Sequence, residues 1–269
     1  MSRAPYPKAS GLLETMTIEE LRAFAPEVMM IVLGSTEPHG PHLPYGTDTV
    51  IGGGITAEAV RLANAQGARV LRLPPLPFGN NVNFKAFPFA CRLRVETLMA
   101  VLGDLVAMAV EEGVRKVVIT NSHGGNTSTL QAALRGLYDR FQQEVFVSAC
   151  GTPDLNGGVH KELFGDRSPH AGDYETSMVM HLAPEWVVDE ARRPAAMNTP
   201  TLPALAEGPV AWIRPWHLLM PESYAGTPDT ATAEKGKTFL EAAARGLSDY
   251  LVELSRAPWH PRFPYAPGQ

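Results

Sequence analysis

The stretch VMMIVLGSTEPHGPHLPYGTD, Val28 to Asp48, joins six consecutive apolar residues directly to a loop crowded with glycine and proline. A helix or strand open to water on one side would interrupt that run with polar residues at its own period. An unbroken apolar run of this length, stopped by turn residues, is the pattern of a strand covered on both faces, as in a parallel sheet. Three further runs read the same way: Arg69 to Leu73, Val117 to Thr120 and Val145 to Ser148. Helical patterns lie between them, over Thr49 to Asn64, Val95 to Glu112 and Thr127 to Phe141. A long alanine-rich helix over Ala231 to Leu254 follows, with Gly236 and Gly246 as places where it could break. Strands alternating with helices of this length predict βαβ units and an α/β sheet with helices on both faces.

The composition narrows the function. The 269 residues carry 23 Lys and Arg against 28 Asp and Glu, a formal charge of −5, which disfavours a nucleic-acid partner. Hydrophobic residues make up 45%, enough for a substantial core, and the length fits one large α/β domain or two small ones, a single domain over residues 1–269 being the expectation. Charged residues are only 19%, where about 25% is usual. The 24 glycines and 24 prolines exceed the roughly 12% expected of the two together. That surplus concentrates in residues 33–48, 73–81, 121–126, 151–158 and 168–176, and four of these five loops follow a predicted strand. Loops beyond the carboxyl ends of parallel strands are where α/β proteins bind ligands.

The first residues, MSRAPYPKASGLLETMT, lack the apolar segment of a signal or anchor, and Leu98 to Val110 carries Asp104 and is too short for a span of ~20 residues. The expected setting is the cytoplasm, with no membrane partner. Cys91 and Cys150 show no metal-binding or disulfide spacing and read as buried small hydrophobes.

Histidines and carboxylates fill the same loops: His39, His42, His123 and His170 beside Glu37, Asp48, Asp173 and Glu175. Imidazole and carboxylate without thiolate suit Zn, Mn or Fe in a hydrolytic site. In an extended loop Glu37 and His39 point the same way, with Pro38 stiffening the arm between them. Asp48 either returns to that centre or caps the following helix. His42 is expected to orient a carboxylate or contact substrate. His123 is either a ligand or a polar turn residue, with Gly124 and Gly125 allowing close approach and Asn126 capping the next helix. Asp173 and Glu175 fall in the first turn of a helix opened by Gly172, and residues two apart on a helix do not share a face. At most one of the two is therefore expected to be a direct ligand, and Glu175 is the choice. Ser35 and Ser122 sit in no nucleophile-elbow motif, and neither GGG at 52–54 nor Gly236-Lys237-Thr238 completes a nucleotide-binding loop. Trp212, Trp216 and His217 read either as a pocket wall or as core or interface packing.

Together, GSTEPHGPHLPYGTD, NSHGGN and HAGDYETS, in that order, resemble the creatininase (creatinine amidohydrolase) family from Gly34 to the terminal helix. The resemblance implies a three-layer α/β/α sandwich with a mostly parallel sheet, two divalent metal ions and a homo-oligomer, often a hexamer. It implies Glu37 and His123 as ligands of one ion, His39 of the other, Asp48 as the bridge and His170 as the catalytic histidine, with the proton shuttled by His170 or Glu175, and by His170 if Glu175 is a ligand. Creatininase has a glutamate where this chain has Gly125; Glu175 is the replacement the resemblance suggests. His42, Gly125, Asn126 and Asp173 are expected around the substrate. The implied chemistry is attack of metal-activated water on a carbonyl of a small cyclic amide or formamide. Its alternatives are ring-opening C–C hydrolysis of a cyclic keto-sugar or oxidised inositol, and a peptidase of cofactor maturation. Outside the family, a metal-free serine hydrolase or an inactive binding scaffold stays open.

Overall fold

Four strands form the sheet of a computed structural model that describes residues 9–165, 168–206 and 210–267. They are β1 (Val28–Leu33), β2 (Val70–Arg72), β3 (Lys116–Asn121) and β4 (Phe146–Gly151), all parallel, in the spatial order β2-β1-β3-β4. The helices are α1 (Ile18–Phe24), α2 (Thr47–Ala65), α3 (Val95–Glu111), α4 (Thr127–Phe141), α5 (Val159–Phe164), α6 (Asp173–Leu182), α7 (Pro203–Ala206), α8 (Trp216–Leu219) and α9 (Ala233–Arg256).

Alternation along β1 sends its residues into two cores. Val28, Met30 and Val32 pack beneath α2, α6 and α9, while Met29, Ile31 and Leu33 pack beneath α3 and α4. All six are buried, so the apolar run is unbroken because both of its faces are covered. The result is the expected three-layer α/β/α sandwich. β4 differs from its expectation: it runs three residues past Ser148 and is only half-buried along its length, because it lies at the sheet edge.

The terminal helix α9 does not break at Gly236 or Gly246. A Cβ at Gly236 would meet Ser177 O at 2.0 Å, and one at Gly246 would meet Leu155 O at 1.9 Å. These glycines let the helix lie directly on α6 and on the loop after β4, and that contact replaces the helical propensity they lack.

Strand order reverses between β1 and β3, which run side by side while their connections leave for opposite faces. That is the position where open parallel sheets form a crevice at their carboxyl ends. Among the described residues no helix is long and apolar enough to cross a membrane. The reading of the first seventeen residues rests in part on residues 1–8, which lie outside those described. Cys91 and Cys150 are both free and half-buried rather than fully buried.

Candidate metal centre

The crevice collects three carboxylates and three imidazoles. Glu37 and His39 come from the loop after β1, Asp48 from the first turn of α2 and His123 from just beyond β3. His170 precedes α6, and Glu175 lies in its first turn.

Each imidazole is tied back through one ring nitrogen to a main-chain carbonyl. His39 Nδ1 donates to Glu37 O at 2.9 Å, His123 Nε2 to Asn80 O at 3.1 Å and His170 Nε2 to Pro38 O at 3.0 Å. A carbonyl can only accept, so each bonded nitrogen carries a hydrogen and the opposite nitrogen faces inward, where it can bind metal once unprotonated, as in metal-bound histidines. His39 Nε2 lies 3.4 Å from Asp48 Oδ1 and 3.8 Å from Glu175 Oε2. His123 Nδ1 lies 3.1 Å from Asp48 Oδ2 and 3.2 Å from Glu37 Oε2. His170 Nδ1 stands 3.8 Å from Glu37 Oε1 and 3.9 Å from Glu175 Oε2, with its ring against that of His39 at 4.2 Å.

Two three-residue sets follow, Glu37–Asp48–His123 and His39–Asp48–Glu175, each with ligand atoms within 4.8 Å of one another and both containing Asp48. A third set, Glu37–His39–His170, meets the same distance limit. Asp48 is not the cap of α2: the capping position belongs to Gly46, and the Asp48 carboxylate turns away from the helix toward His39 and His123.

Glu37 Oε1, His39 Nε2 and Asp48 Oδ2 are buried without a hydrogen-bond partner. Leaving such atoms unsatisfied costs about 1–3 kcal/mol each, more where charged, and three in one place mark a site built to receive a cation. The electrostatics agree. Burial is the strongest single influence on His39 and pushes it toward the neutral form, yet Asp48, Glu175 and Glu37 together lift it to about 9. His123 is likewise raised well above its ordinary value by Glu37 and Asp48 against its burial. Asp48 is held below the usual carboxylate range because His39 and His123 outweigh the effect of burial. Burial lifts Glu175 to about 7, with His39 opposing and Asp48 assisting. Burial and the neighbouring His39 drive His170 well below its ordinary value. In the absence of metal, protons on His39 and His123 supply the positive charge the carboxylates require; divalent ions would supply it instead and release those protons.

The supporting residues were only partly visible in the sequence. Ser35 Oγ donates to Glu37 Oε2 at 3.0 Å and itself accepts from Asn81 Nδ2 at 3.0 Å. Its alternation with Glu37 in an extended loop was a usable signal; nothing marked Asn81. Asn126 is no side-chain cap for α4. Fully buried, it accepts from Asn80 N and donates to Gly34 O and Asn121 Oδ1, joining three site loops. His42 is also fully buried and bonds Ala171 O at 3.0 Å and Thr176 Oγ1 at 3.2 Å. These two side chains therefore tie the site loops together. Asp173 accepts from Ser168 Oγ at 3.1 Å, outside all three ligand sets. A Cβ at Gly125 would stand 2.3 Å from both Asn80 O and His123 Nε2, so no ligand side chain fits there, and Glu175 reaches the second set instead.

Trp216 and Phe84, 4.5 Å apart, each lie 5.0 Å from the ring of His170. The Ser122 hydroxyl is engaged by Leu33 O and Asp48 O, and Ser35 by Glu37; among the described residues neither hydroxyl bonds a histidine. A cleft of 710 Å³ opens over His123, Gly124 and Glu175.

The family profile described as creatinine amidohydrolase matches residues 14–251. A mycofactocin precursor peptide peptidase from Mycobacterium ulcerans (strain Agy99) is 33% identical over 258 residues, covering 93% of this chain and 92% of the relative. Creatinine amidohydrolase from Pseudomonas putida is 27% identical over 250 residues, covering 84% and 89%. A crystal structure of a Bacteroides fragilis NCTC 9343 protein, described as a candidate creatinine amidohydrolase, superposes with a TM-score of 0.85 at 30% identity over 95% of this chain and 100% of that one. The same fold recurs in two creatininase structures, one described as a manganese form and the other as a zinc–zinc form of a point mutant. Both are 22% identical and cover 93% of this chain and 100% of theirs, with TM-scores of 0.74 and 0.73.

Proposed function

The chain belongs to the creatininase family and is a hydrolase; from that premise and the site's geometry we propose that it is a dinuclear metal-dependent amide hydrolase acting on peptides. The single observation that carries the reading is Asp48, shared by two otherwise separate ligand sets. Glu37, Asp48 and His123 would hold one divalent ion and His39, Asp48 and Glu175 the other, with Zn, Mn or Fe suited to these donors. Such ions supply Lewis acidity, polarising a carbonyl and bringing the pKa of water toward ~7.

The protein's own residues do the rest. Ser35 and the Asn80, Pro38 and Glu37 carbonyls keep the ligands aimed before substrate arrives. His170 Nδ1, which stands 3.8 Å from Glu37 Oε1 while Nε2 is bonded to Pro38 O, would take a proton from the attacking water and return it to the leaving nitrogen. Phe84 and Trp216 shield that imidazole from bulk water.

Two observations favour a peptide over the small cyclic amide or formamide suggested by the resemblance. The cleft of 710 Å³ lies within the roughly 300–1,000 Å³ of sites for drug-sized ligands, far larger than a five-membered lactam. The peptidase relative also shares more of this chain's sequence than the creatininase does. In this reading the whole chain acts as one cytoplasmic domain, consistent with its two unpaired cysteines. Exposed Leu202, Val210, Ile213 and Leu218 favour a homo-oligomer, with sedimentation velocity reading its number.

The test is to strip the protein with a chelator, reload it with Mn²⁺ or Zn²⁺, and assay short peptides, formamides and lactams. Hydrolysis of peptides restored only by metal is the expected result; activity that survives chelation overturns the reading.

A further inference from the structure

The cleft over His123 and Glu175 also contains Asp154, which has no part in the chemistry above. Asp154 lies three residues past the end of β4, beside the loop that carries His123. Its Oδ2 accepts the Gly151 N–H at 2.8 Å, which holds the carboxylate still. Among the described residues it has no cationic partner, and no lysine or arginine lines the cleft. Among the described residues its other acid is Glu175, which faces the candidate metal ligands. Leu130, Leu134 and Met197 give the wall an apolar surface, and Tyr174 and His160 add two aromatic rings 5.2 Å apart. An exposed carboxylate held by the Gly151 N–H and without a lysine or arginine partner among the described residues, on a cleft wall bordered by aromatic rings, is complementary to a positively charged nitrogen.

We propose that Asp154 is a specificity residue that selects substrates carrying an ammonium or guanidinium group, joined to the scissile amide through an apolar segment. That group is either the free amino terminus of a peptide or a lysine or arginine side chain. The inference rests on the hydrolase reading above, and the experiment separates the two.

The variant is Asp154→Asn, because an asparagine oxygen can still accept the Gly151 N–H while the charge is removed. Metal-loaded wild type and variant are compared on peptides with free and acetylated amino termini, and on lysine peptides against their norleucine counterparts. Wild type should prefer the cationic member of one pair by about 10- to 100-fold in kcat/KM. The variant should lose that preference, chiefly through KM, with its rate on neutral peptides and its metal content unchanged. The pair that responds tells an amino terminus from a side chain. Equal rates on both members of both pairs, or equal losses on all substrates in the variant, would overturn the proposal while leaving the hydrolase reading intact. If no amide is cleaved, the hydrolase reading fails and binding still decides the inference. Calorimetry should then show n-hexylamine binding wild type at least about tenfold tighter than n-hexanol, and the variant binding both alike. Equal binding to wild type would refute the proposal.

Discussion

The two ends of the parallel sheet both bury charge, and they treat it in opposite ways. At the amino end, Lys116, the first residue of β3, donates to the carbonyls of Leu254 at 2.8 Å and Ser255 at 3.2 Å, and to that of Ala257, closing the carboxyl end of α9. Beside it Glu27 pairs with Arg69 at 2.6 Å and accepts from Ser255 Oγ at 2.6 Å. At the carboxyl end, Glu37, His39 and Asp48 are buried as Lys116 is, and more deeply than the half-exposed Glu27–Arg69 pair, yet each keeps an atom with no hydrogen-bond partner among the described residues. A charge satisfied within the fold stabilises it; a cluster left open is kept for something that binds.

This contrast is most exposed to test at Asp48. Asp48→Asn keeps the side chain's shape and removes the shared charge, so amide hydrolysis should fall by about 10³-fold or more, on the scale of losing a principal electrostatic element. Steady-state kinetics on a peptide substrate read it, and a loss of less than tenfold would mean that Asp48 is not shared. Next comes Ser35→Ala, which leaves Glu37 without its donor. It should weaken metal binding at the Glu37 set by about 10–100-fold, the range for a residue that orients a ligand, as measured by competition with a chelating dye.

At the other end, Lys116→Met should lower stability by about 1–3 kcal/mol, because the α9 carbonyls lose their donor. Urea unfolding reads this, and kcat should stay at the wild-type value. A fall in kcat would show that the two ends are coupled.

The smallest effect concerns pH. His39 in the metal-free chain is raised from 6.5 to about 9, so its pairing with the carboxylates stabilises fully below pH 6.5 and is lost as pH rises through 9. The metal needs the neutral imidazole, so its binding tightens over the same window. Scanning calorimetry at pH 6.5 and pH 9 should show the metal-free transition falling and the gap to the Mn²⁺-loaded protein widening. A gap that narrows would contradict the protonation of His39.

The sheet was legible because physics leaves few readings of six unbroken apolar residues ending on a glycine-rich loop. The candidate cluster was legible because Glu37, His39, Asp48, His123 and Glu175 are residue types that can bind metal and sit in strand-end loops. Long-range closure was not. Nothing local states that Asn126 would join three loops rather than cap α4, since capping is the commoner use of an asparagine before a helix. Gly236 and Gly246 suggested breaks because the sequence does not show the backbone that presses on them. His42 read as orienting a carboxylate or contacting substrate, and its bonds to Ala171 O and Thr176 Oγ1 span more than 120 residues of sequence, which no local pattern shows. The Trp216–Phe84 cover on His170 joins segments more than 130 residues apart, beyond the reach of any local pattern.

The central claim is that one aspartate unites two metal sites, and metal stoichiometry tests it most directly. Elemental analysis of the chelator-stripped chain, reloaded with Zn²⁺ or Mn²⁺ and desalted, should find two ions per wild-type chain and fewer than one per Asp48→Asn chain. A single ion per wild-type chain, or two retained by Asp48→Asn, would contradict the account.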